Sequence, residues 1–224
     1  MTQTISSSVS DFGRSLASAS RVLDVGCGAR PYQSFFAHCE YVGVDVEVSG
    51  RPAEHKQPNA FFNGRDLPFE DASFDALLCT EVLEHATDPI FLGREMRRVL
   101  KPGGSILITV PFIWGEHETP YDFRRFSSFG MLRFLDEVGL ELVSSGKLTC
   151  GIDAIDTLVR SEIVNYDRHA RPPSASAIGA LMQQVAARVA RATWALQLRL
   201  WRRLYRFERI YIDNLIVARR RLDG

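Results

Sequence analysis

The chain has 224 residues, and its 27 basic side chains balance 27 acidic ones. That length buries a sizeable core in one domain. The composition is ordinary for a soluble protein, and four cysteines without a CxxC pair read as reduced core thiols of a cytosolic chain, not a disulfide framework. The charge is uneven: residues 1–170 hold 16 Lys+Arg against 24 Asp+Glu, whereas residues 171–224 hold 11 against 3, which reads as an acidic core followed by a basic attachment.

Residues 1–20 contain seven serines and few large apolar groups, the pattern of a mobile arm. An alternative is a short helix over a ligand, carried by Phe12 and Leu16. The run Arg21–Val25 then leads into Gly26 and Gly28. A buried strand, a tight turn and, from Pro31, the start of a helix are expected. Glycine has no Cβ, so a ligand can lie against the backbone there, and a helix start offers free N–H groups. Tyr41–Val44 is a second strand ending at Asp45, 19 residues after Gly26. An acid at that distance accepts hydrogen bonds from ribose hydroxyls in doubly wound folds. A pyrophosphate fingerprint would need a third glycine where Pro31 stands, which argues against NAD and for a nucleoside without phosphates.

Residues 49–58 read as a loop and Ala60–Phe62 as a short third strand. The apolar run Phe74–Thr80 is expected as a central parallel strand covered on both faces. Asp88 caps a helix with Pro89 in its first turn and Phe91, Leu92, Met96, Val99 and Leu100 inward. Lys101-Pro102-Gly103-Gly104 reads as a turn and Ser105–Val110 as strand 5. A polar loop from Pro111 to Phe126 follows. Ser127 caps another helix that ends at Gly139, and Leu140–Cys150 is strand 6. Alternation of strands and helices implies a doubly wound α/β sheet whose ligand sits beyond the strand carboxyl ends.

Four stretches in order carry a resemblance: Asp24-Val25-Gly26-Cys27-Gly28, Gly43-Val44-Asp45, Phe74 through His85, and Arg98-Val99-Leu100-Lys101-Pro102-Gly103-Gly104. Together they resemble class I S-adenosylmethionine (SAM)-dependent methyltransferases of the type 11 kind, over about Arg21 to Cys150. The resemblance implies a Rossmann-like, mostly parallel seven-stranded sheet with an antiparallel last strand, here near Asp213–Arg219. It implies SAM as cofactor, bound by Asp24, Gly26, Cys27, Gly28, Asp45, Val46, Thr80 and Glu81, with Asp66 and Leu67 flanking the adenine. The implied reaction is methyl transfer, read here as transfer to a hydroxyl of a small molecule or glycan-type substrate. The alternatives are a metal-assisted RNA 2′-O-methyltransferase and a non-catalytic SAM-binding or scaffold protein. Ala29-Arg30 departs from the small residue many relatives have after the second glycine, leaving Arg30 either swung out or on the cofactor carboxylate.

A hydroxyl acceptor benefits from a base. His117 is the first choice and His85 the second; Trp114, Tyr121, Arg124 and Arg125 are expected on the substrate, the arginines against an anionic group. Glu81, Glu84 and His85 fall at i, i+3 and i+4, one face if that segment is helical. The Glu-x-x-Glu-His pattern is similar to one in two metal-assisted O-methyltransferase groups, which implies a divalent-cation set of Glu81, Glu84, His85 and His117. The expectation taken here is that no metal is used, with that set as the alternative.

The domain reading is an arm at 1–20, a methyltransferase core at 21–151 and 211–224, and a helical insert at 152–210 divided at Pro172-Pro173. On a helical wheel Arg188, Arg191, Arg199, Arg202, Arg203, Arg206 and Arg209 cluster on about a third of the circumference. Val189, Leu196, Leu200, Trp201, Leu204, Tyr205, Phe207 and Tyr211 take the rest. Three readings compete for this insert: packing on the core or in a homodimer, peripheral contact with an anionic membrane, and nucleic-acid binding. The acidic core argues against nucleic acid. No secretory signal or spanning helix is expected, and the chain is placed in the cytoplasm or at the inner membrane face.

Overall fold

A computed structural model describes residues 4–169, 177–205 and 208–222. The chain divides into two compact units, Met1–Leu148 with Ile212–Gly224, and Thr149–Tyr211. The first unit holds a seven-stranded sheet in the order β3-β2-β1-β4-β5-β7-β6, with β1 at Arg21–Val25, β2 at Glu40–Val46, β3 at Ala60–Phe62, β4 at Phe74–Thr80, β5 at Leu100–Pro111, β6 at Leu140–Cys150 and β7 at Tyr211–Arg220. β1, β2, β3, β4 and β5 are joined in parallel. β7 runs antiparallel to β5, from Ser105 opposite Arg219 to Pro111 opposite Asp213. The expected doubly wound sheet with an antiparallel last strand is the observed one.

Because side chains alternate along a strand, each apolar strand feeds two cores. On one face Leu23, Val25, Leu77, Cys79, Ile106 and Ile108 pack with Leu92 and Met96 of α2 (Pro89–Val99) and with Met131, Phe134 and Leu135 of α3 (Ser128–Val138). On the other, Val22, Ala76, Leu78 and Leu107 pack with Phe36 and with Val9 and Phe12 of α1 (Ile5–Ser15). Each fully buried Leu, Ile, Val or Phe contributes about 1.5–3 kcal/mol. The helix ends follow their local chemistry. Asp88 Oδ1 accepts from Phe91 N at 3.0 Å, Ser127 Oγ accepts from Gly130 N at 3.1 Å, and α3 stops at left-handed Gly139.

Three expectations are corrected here. The segment read as a mobile arm contains α1, capped by Thr4, whose buried Val9 and Phe12 lie on one helical face. It covers the sheet, and none of its residues lines the cavities described below. The helix expected after the glycine turn is only a 3-10 turn at Gln33–Phe36. β2 begins at Glu40, leaving little chain in which to close an α-helix, and the tighter turn already buries Phe36. Residues 101–104 are not a separate turn, since β5 starts at Leu100 and its register with β4 shifts between Phe74 and Ala76. Gly103, at φ +78°, absorbs that irregularity.

The second unit contains α4 (Ile152–His169) and α5 (Ala177–Leu204). Trp194 Nε1 donates to Asp156 Oδ1 at 3.0 Å, and Arg202 pairs with Asp153 at 2.6 Å. Pro172, Pro173, Arg206 and Phe207 lie outside the described residues. Among the described residues no helix is long and apolar enough to cross a membrane.

Candidate functional site

The strand ends dictate where the site forms. Between β1 and the 3-10 turn, Gly26 and Gly28 have φ of +74° and +50°, and a Cβ on Gly26 would overlap the Val82 side chain. Gly26 N and Cys27 N both donate to Val44 O, at 2.8 and 3.0 Å, so the turn is folded over the end of β2. Gly28 N donates to Asp45 Oδ2 at 2.8 Å. Asp45 Oδ1 accepts from Val46 N at 2.7 Å and faces Lys56 Nζ at 3.3 Å.

Asp24, 1% exposed, accepts on Oδ2 from the Tyr41 hydroxyl, while its Oδ1 has no partner. Burial, only partly offset by the Tyr41 hydrogen bond, pushes its carboxyl up to about 7. These groups line a cavity of about 400 Å³ whose wall includes Asp24, Gly26, Cys27, Gly28, Asp45, Val46, Thr80 and Glu81. All eight are residues that the resemblance implies for SAM. Arg30 swings away from it, donating to Asn59 Oδ1.

A second cavity of about 390 Å³ adjoins the first through Val46, Ser49, Phe62, Val82 and His85. Asn63 and Gly64 line it, whereas Asp66 and Leu67 line neither cavity. Asp66 is exposed and accepts from Asn63 Nδ2 at 2.9 Å; Leu67 is buried in the core. The residue that emerges from the carboxyl end of β3 is Asn63, and the site follows the strand end rather than the nearest acid. Lys56, Arg51, Tyr32 and Val82 also line these walls without having been singled out. For Asn63 the strand-end rule was the available signal; for Lys56 no local pattern marks it.

The segment after β4 is not helical, and Glu81 has φ +56°. Glu81, Glu84 and His85 therefore share no helix face. Thr109 Oγ1 donates to Glu81 Oε1 at 2.8 Å, and burial raises the Glu81, Glu84 and Asp213 carboxyls above their ordinary range. Phe123 N donates to Glu84 O at 3.0 Å, tying the long loop after β5 to this turn. His85 Nδ1 lies 2.7 Å from Tyr121 O, and His85 Nε2 lies 3.2 Å from His117 Nε2. His85 lines both cavities and His117 neither.

The two arginines expected on substrate are engaged elsewhere. Arg124 donates to the carbonyls of Ala86 and Thr87. Arg125 forks onto both oxygens of Asp122, at 2.5 and 2.7 Å, and reaches Gly115 O at 3.2 Å. This guanidinium holds the Asp122 carboxyl well below the usual carboxylate range. Both arginines brace the loop. Trp114 lies outside the cavity walls, with its carbonyl 3.4 Å from Arg125 Nη2, whereas Tyr121 lines the second cavity.

Residues 23–108 match the family model of a methyltransferase domain. An uncharacterized methyltransferase of Mycobacterium sp. (strain KMS) is 40% identical over 112 residues, covering 44% of this chain and 42% of the relative. One from Mycolicibacterium gilvum is 38% identical over 109 residues, covering 43% of this chain and 42% of the relative. The chain thus matches less than half the length of these curated relatives.

A putative methyltransferase from Bacillus halodurans superposes with a TM-score of 0.57 at 17% identity, covering 98% of this chain and 100% of that one. Phosphoethanolamine N-methyltransferase 2 of Haemonchus contortus, in complex with SAM, gives 0.58 at 18% identity, covering 96% and 51%. The [4+2]-cyclase SpnF gives 0.60 at 19% identity, covering 96% and 81%. Residues 23–108 thus match a methyltransferase domain, and the sheet order, the glycine turn and the strand-end acids around them are those expected of the class I SAM-dependent methyltransferase fold.

Proposed function

We propose that the chain binds SAM and transfers its methyl group to a hydroxyl of a small-molecule or glycan-type acceptor. The observation that carries this reading is the convergence, at the carboxyl ends of β1 and β2, of a bare Asp24 Oδ1, the anchored Asp45 carboxylate and the glycine turn around one cavity. Asp24 Oδ1 suits the cofactor ammonium and Asp45 the ribose hydroxyls. The second cavity, with apolar Val46, Phe62, Val82 and Leu92 and the amide of Asn63, suits an adenine ring and its polar edge.

In the proposed transfer the acceptor oxygen bonds to the methyl carbon in line with the departing sulfur. The carbon–sulfur bond breaks and its electron pair neutralises the sulfonium. The protein mostly aligns the reactants and excludes water. The acceptor proton needs a base, and His85 is favoured over His117 because it lies in the wall of both cavities. With Nδ1–H donating to Tyr121 O, His85 keeps its lone pair on Nε2. A base in this position supports a hydroxyl acceptor over a carboxylate, which would not need one. An RNA acceptor is disfavoured by the acidic balance of residues 1–170.

The test is calorimetric titration with SAM and S-adenosylhomocysteine beside Asp45→Ala, followed by mass-spectrometric screening of hydroxyl acceptors. Micromolar binding lost in the variant supports the cofactor assignment. Binding without transfer to any acceptor class moves the scaffold reading forward; the SpnF likeness is a reminder that this fold alone does not set a reaction.

For the second unit, the reading we favour is peripheral contact with an anionic lipid surface. α5 contains five arginines and no acid. Val189, Leu196 and Leu200 are exposed on a stripe about 40° wide, flanked on one side by Arg188, Arg199 and Arg203. Cosedimentation with phosphatidylserine vesicles that salt abolishes would support it. Concentration-dependent dimerisation without vesicle binding would replace it with the homodimer reading.

A further inference from the structure

SAM carries a carboxylate as well as an ammonium, and the wall of the first cavity is acidic: Asp24, Asp45, Glu81 and Glu118 all line it. A carboxylate entering such a wall needs a cation. Arg30, beside the glycine turn, is spent on Asn59 and lines neither cavity. The wall itself contains Lys56 and Arg51. A lysine has three N–H donors, and those of Lys56 face Val46 O, Ser49 Oγ and Asp45 Oδ1 at 2.7, 2.7 and 3.3 Å. Arg51 is the cation of this wall with donors to give.

Arg51 Nε donates to Glu118 Oε1. That bond uses one of the five guanidinium N–H groups, and among the described residues nothing accepts from Nη1 or Nη2. Nη1 hangs over the glycine turn, where a Cβ built on Gly28 would lie 3.8 Å from it. The chain fixes this position from two sides. Arg51 N donates to Ser49 Oγ at 3.1 Å, and Ser49 Oγ is itself held by Lys56. Gly50 lets the opposite loop come so near that a Cβ there would stand 2.1 Å from Glu118 O. The charge also reaches the cavity interior: burial raises the Tyr32 hydroxyl, and Arg51 works against that rise.

We propose that Arg51 binds the cofactor carboxylate through its Nη edge above Gly28, with Glu118 as the positioning residue that holds Nε. A planar fork of donors matches a carboxylate with charge-assisted bonds that a lysine cannot duplicate. Asp24 on the ammonium and Arg51 on the carboxylate together recognise an α-amino acid, so the site selects that end of the cofactor as well as its nucleoside. Arg51 lies in the loop after β2 and Glu118 in the loop after β5, so the same ion pair links cofactor recognition to the loop that carries Tyr121. This inference rests on the cofactor assignment above and adds the residue that reads the carboxylate.

The experiment compares two ligands on the full chain by calorimetry: SAM, and decarboxylated SAM, which lacks only that carboxylate. The parent is expected to bind SAM about 10- to 100-fold more tightly. Arg51→Gln should bind decarboxylated SAM at least as tightly as SAM, because the acidic wall then repels the carboxylate unopposed. Its affinity for decarboxylated SAM should be no weaker than the parent's, and its thermal melt should match, since the Arg51 side chain is 59% exposed. Glu118→Gln, whose amide oxygen still accepts from Nε, should keep most of the preference, and Glu118→Ala should lose most of it. Three results would overturn the proposal: equal affinity of the parent for both ligands, an unchanged preference in Arg51→Gln, or an equal loss of both ligands in Arg51→Gln, which would make Arg51 a loop brace. A full preference in Glu118→Ala would overturn the role of Glu118. A folded parent that binds neither ligand would instead bring down the cofactor assignment itself, so the two failures are told apart.

Discussion

The ammonium of Lys56 stands 3.3 Å from Asp45 Oδ1, and the two side chains are only 2% and 9% exposed. Lys56 Nζ also donates to Val46 O and Ser49 Oγ, both at 2.7 Å. The acid proposed to hold the ribose is therefore fixed from one side by backbone N–H groups and from the other by a buried cation. Breaking such a pair leaves an uncompensated charge and costs about 3–5 kcal/mol. Lys56→Met is expected to lower stability by about 3 kcal/mol, read as a shifted urea midpoint at unchanged slope. Adding Asp45→Asn should recover part of the loss. Equal stability of Lys56→Met and parent would show that the pair contributes nothing.

Asp24 sets a pH dependence. Its carboxyl titrates near 7 in the folded chain against an ordinary value of 3.8. The folded state therefore binds more protons than the unfolded state between those values, and the contribution of Asp24 to stability declines as pH rises through that window. Cofactor binding runs the other way, since only ionised Asp24 attracts an ammonium. From pH 5.5 to 7.0 the cofactor α-ammonium remains largely protonated. S-adenosylhomocysteine affinity should therefore rise with pH by up to about tenfold per unit. Asp24→Asn should bind weakly and without that slope. A flat profile in the parent would remove Asp24 from the ammonium.

Gly50 controls how closely two loops meet. A Cβ there would overlap the backbone of Glu118, whose carboxylate pairs with Arg51 across the first cavity. Gly50→Ala should push the loop after β2 away from the loop after β5. The expected result is about tenfold weaker S-adenosylhomocysteine binding with an unchanged far-ultraviolet circular dichroism spectrum. Glu118→Gln, which keeps the close approach and removes the charge, should have a smaller effect. Parent-like affinity in Gly50→Ala would mean that the approach is irrelevant to the ligand.

The legible part of the site is the part governed by strand ends. Asp24, Gly26, Asp45, Thr80 and Glu81 lie where apolar runs stop, and a parallel sheet gathers those stops on one edge. Asp66, an acid beside an apolar residue, has the chemistry expected beside an adenine but lines neither cavity; β3 ends at Phe62, so Asn63 lines the second one. The helix expected to align Glu81, Glu84 and His85 does not form, yet the turn that replaces it still presents His85, and a loop residue 32 positions on, His117, meets it. Such long-range meetings leave no trace in local spacing. Lys56 was equally hidden, a cation in a polar, proline-bearing loop. The helix α1 was obscured by its serines, although Val9 and Phe12 fall three apart, as a helix face requires.

The second unit begins and ends at one place: Gly151 N donates to Ile210 O at 2.7 Å. Both core clusters draw their residues from the first unit alone. A chain in which residues 152–209 are replaced by two glycines is therefore expected to keep a cooperative melt and S-adenosylhomocysteine binding, and loss of both would show that the unit supports the core. The segment is in effect a cassette, held by two adjacent ends. A sheet whose final strand arrives late asks only that those ends be neighbours, so the block between them is open to exchange, grafting or shortening without redrawing the strand order.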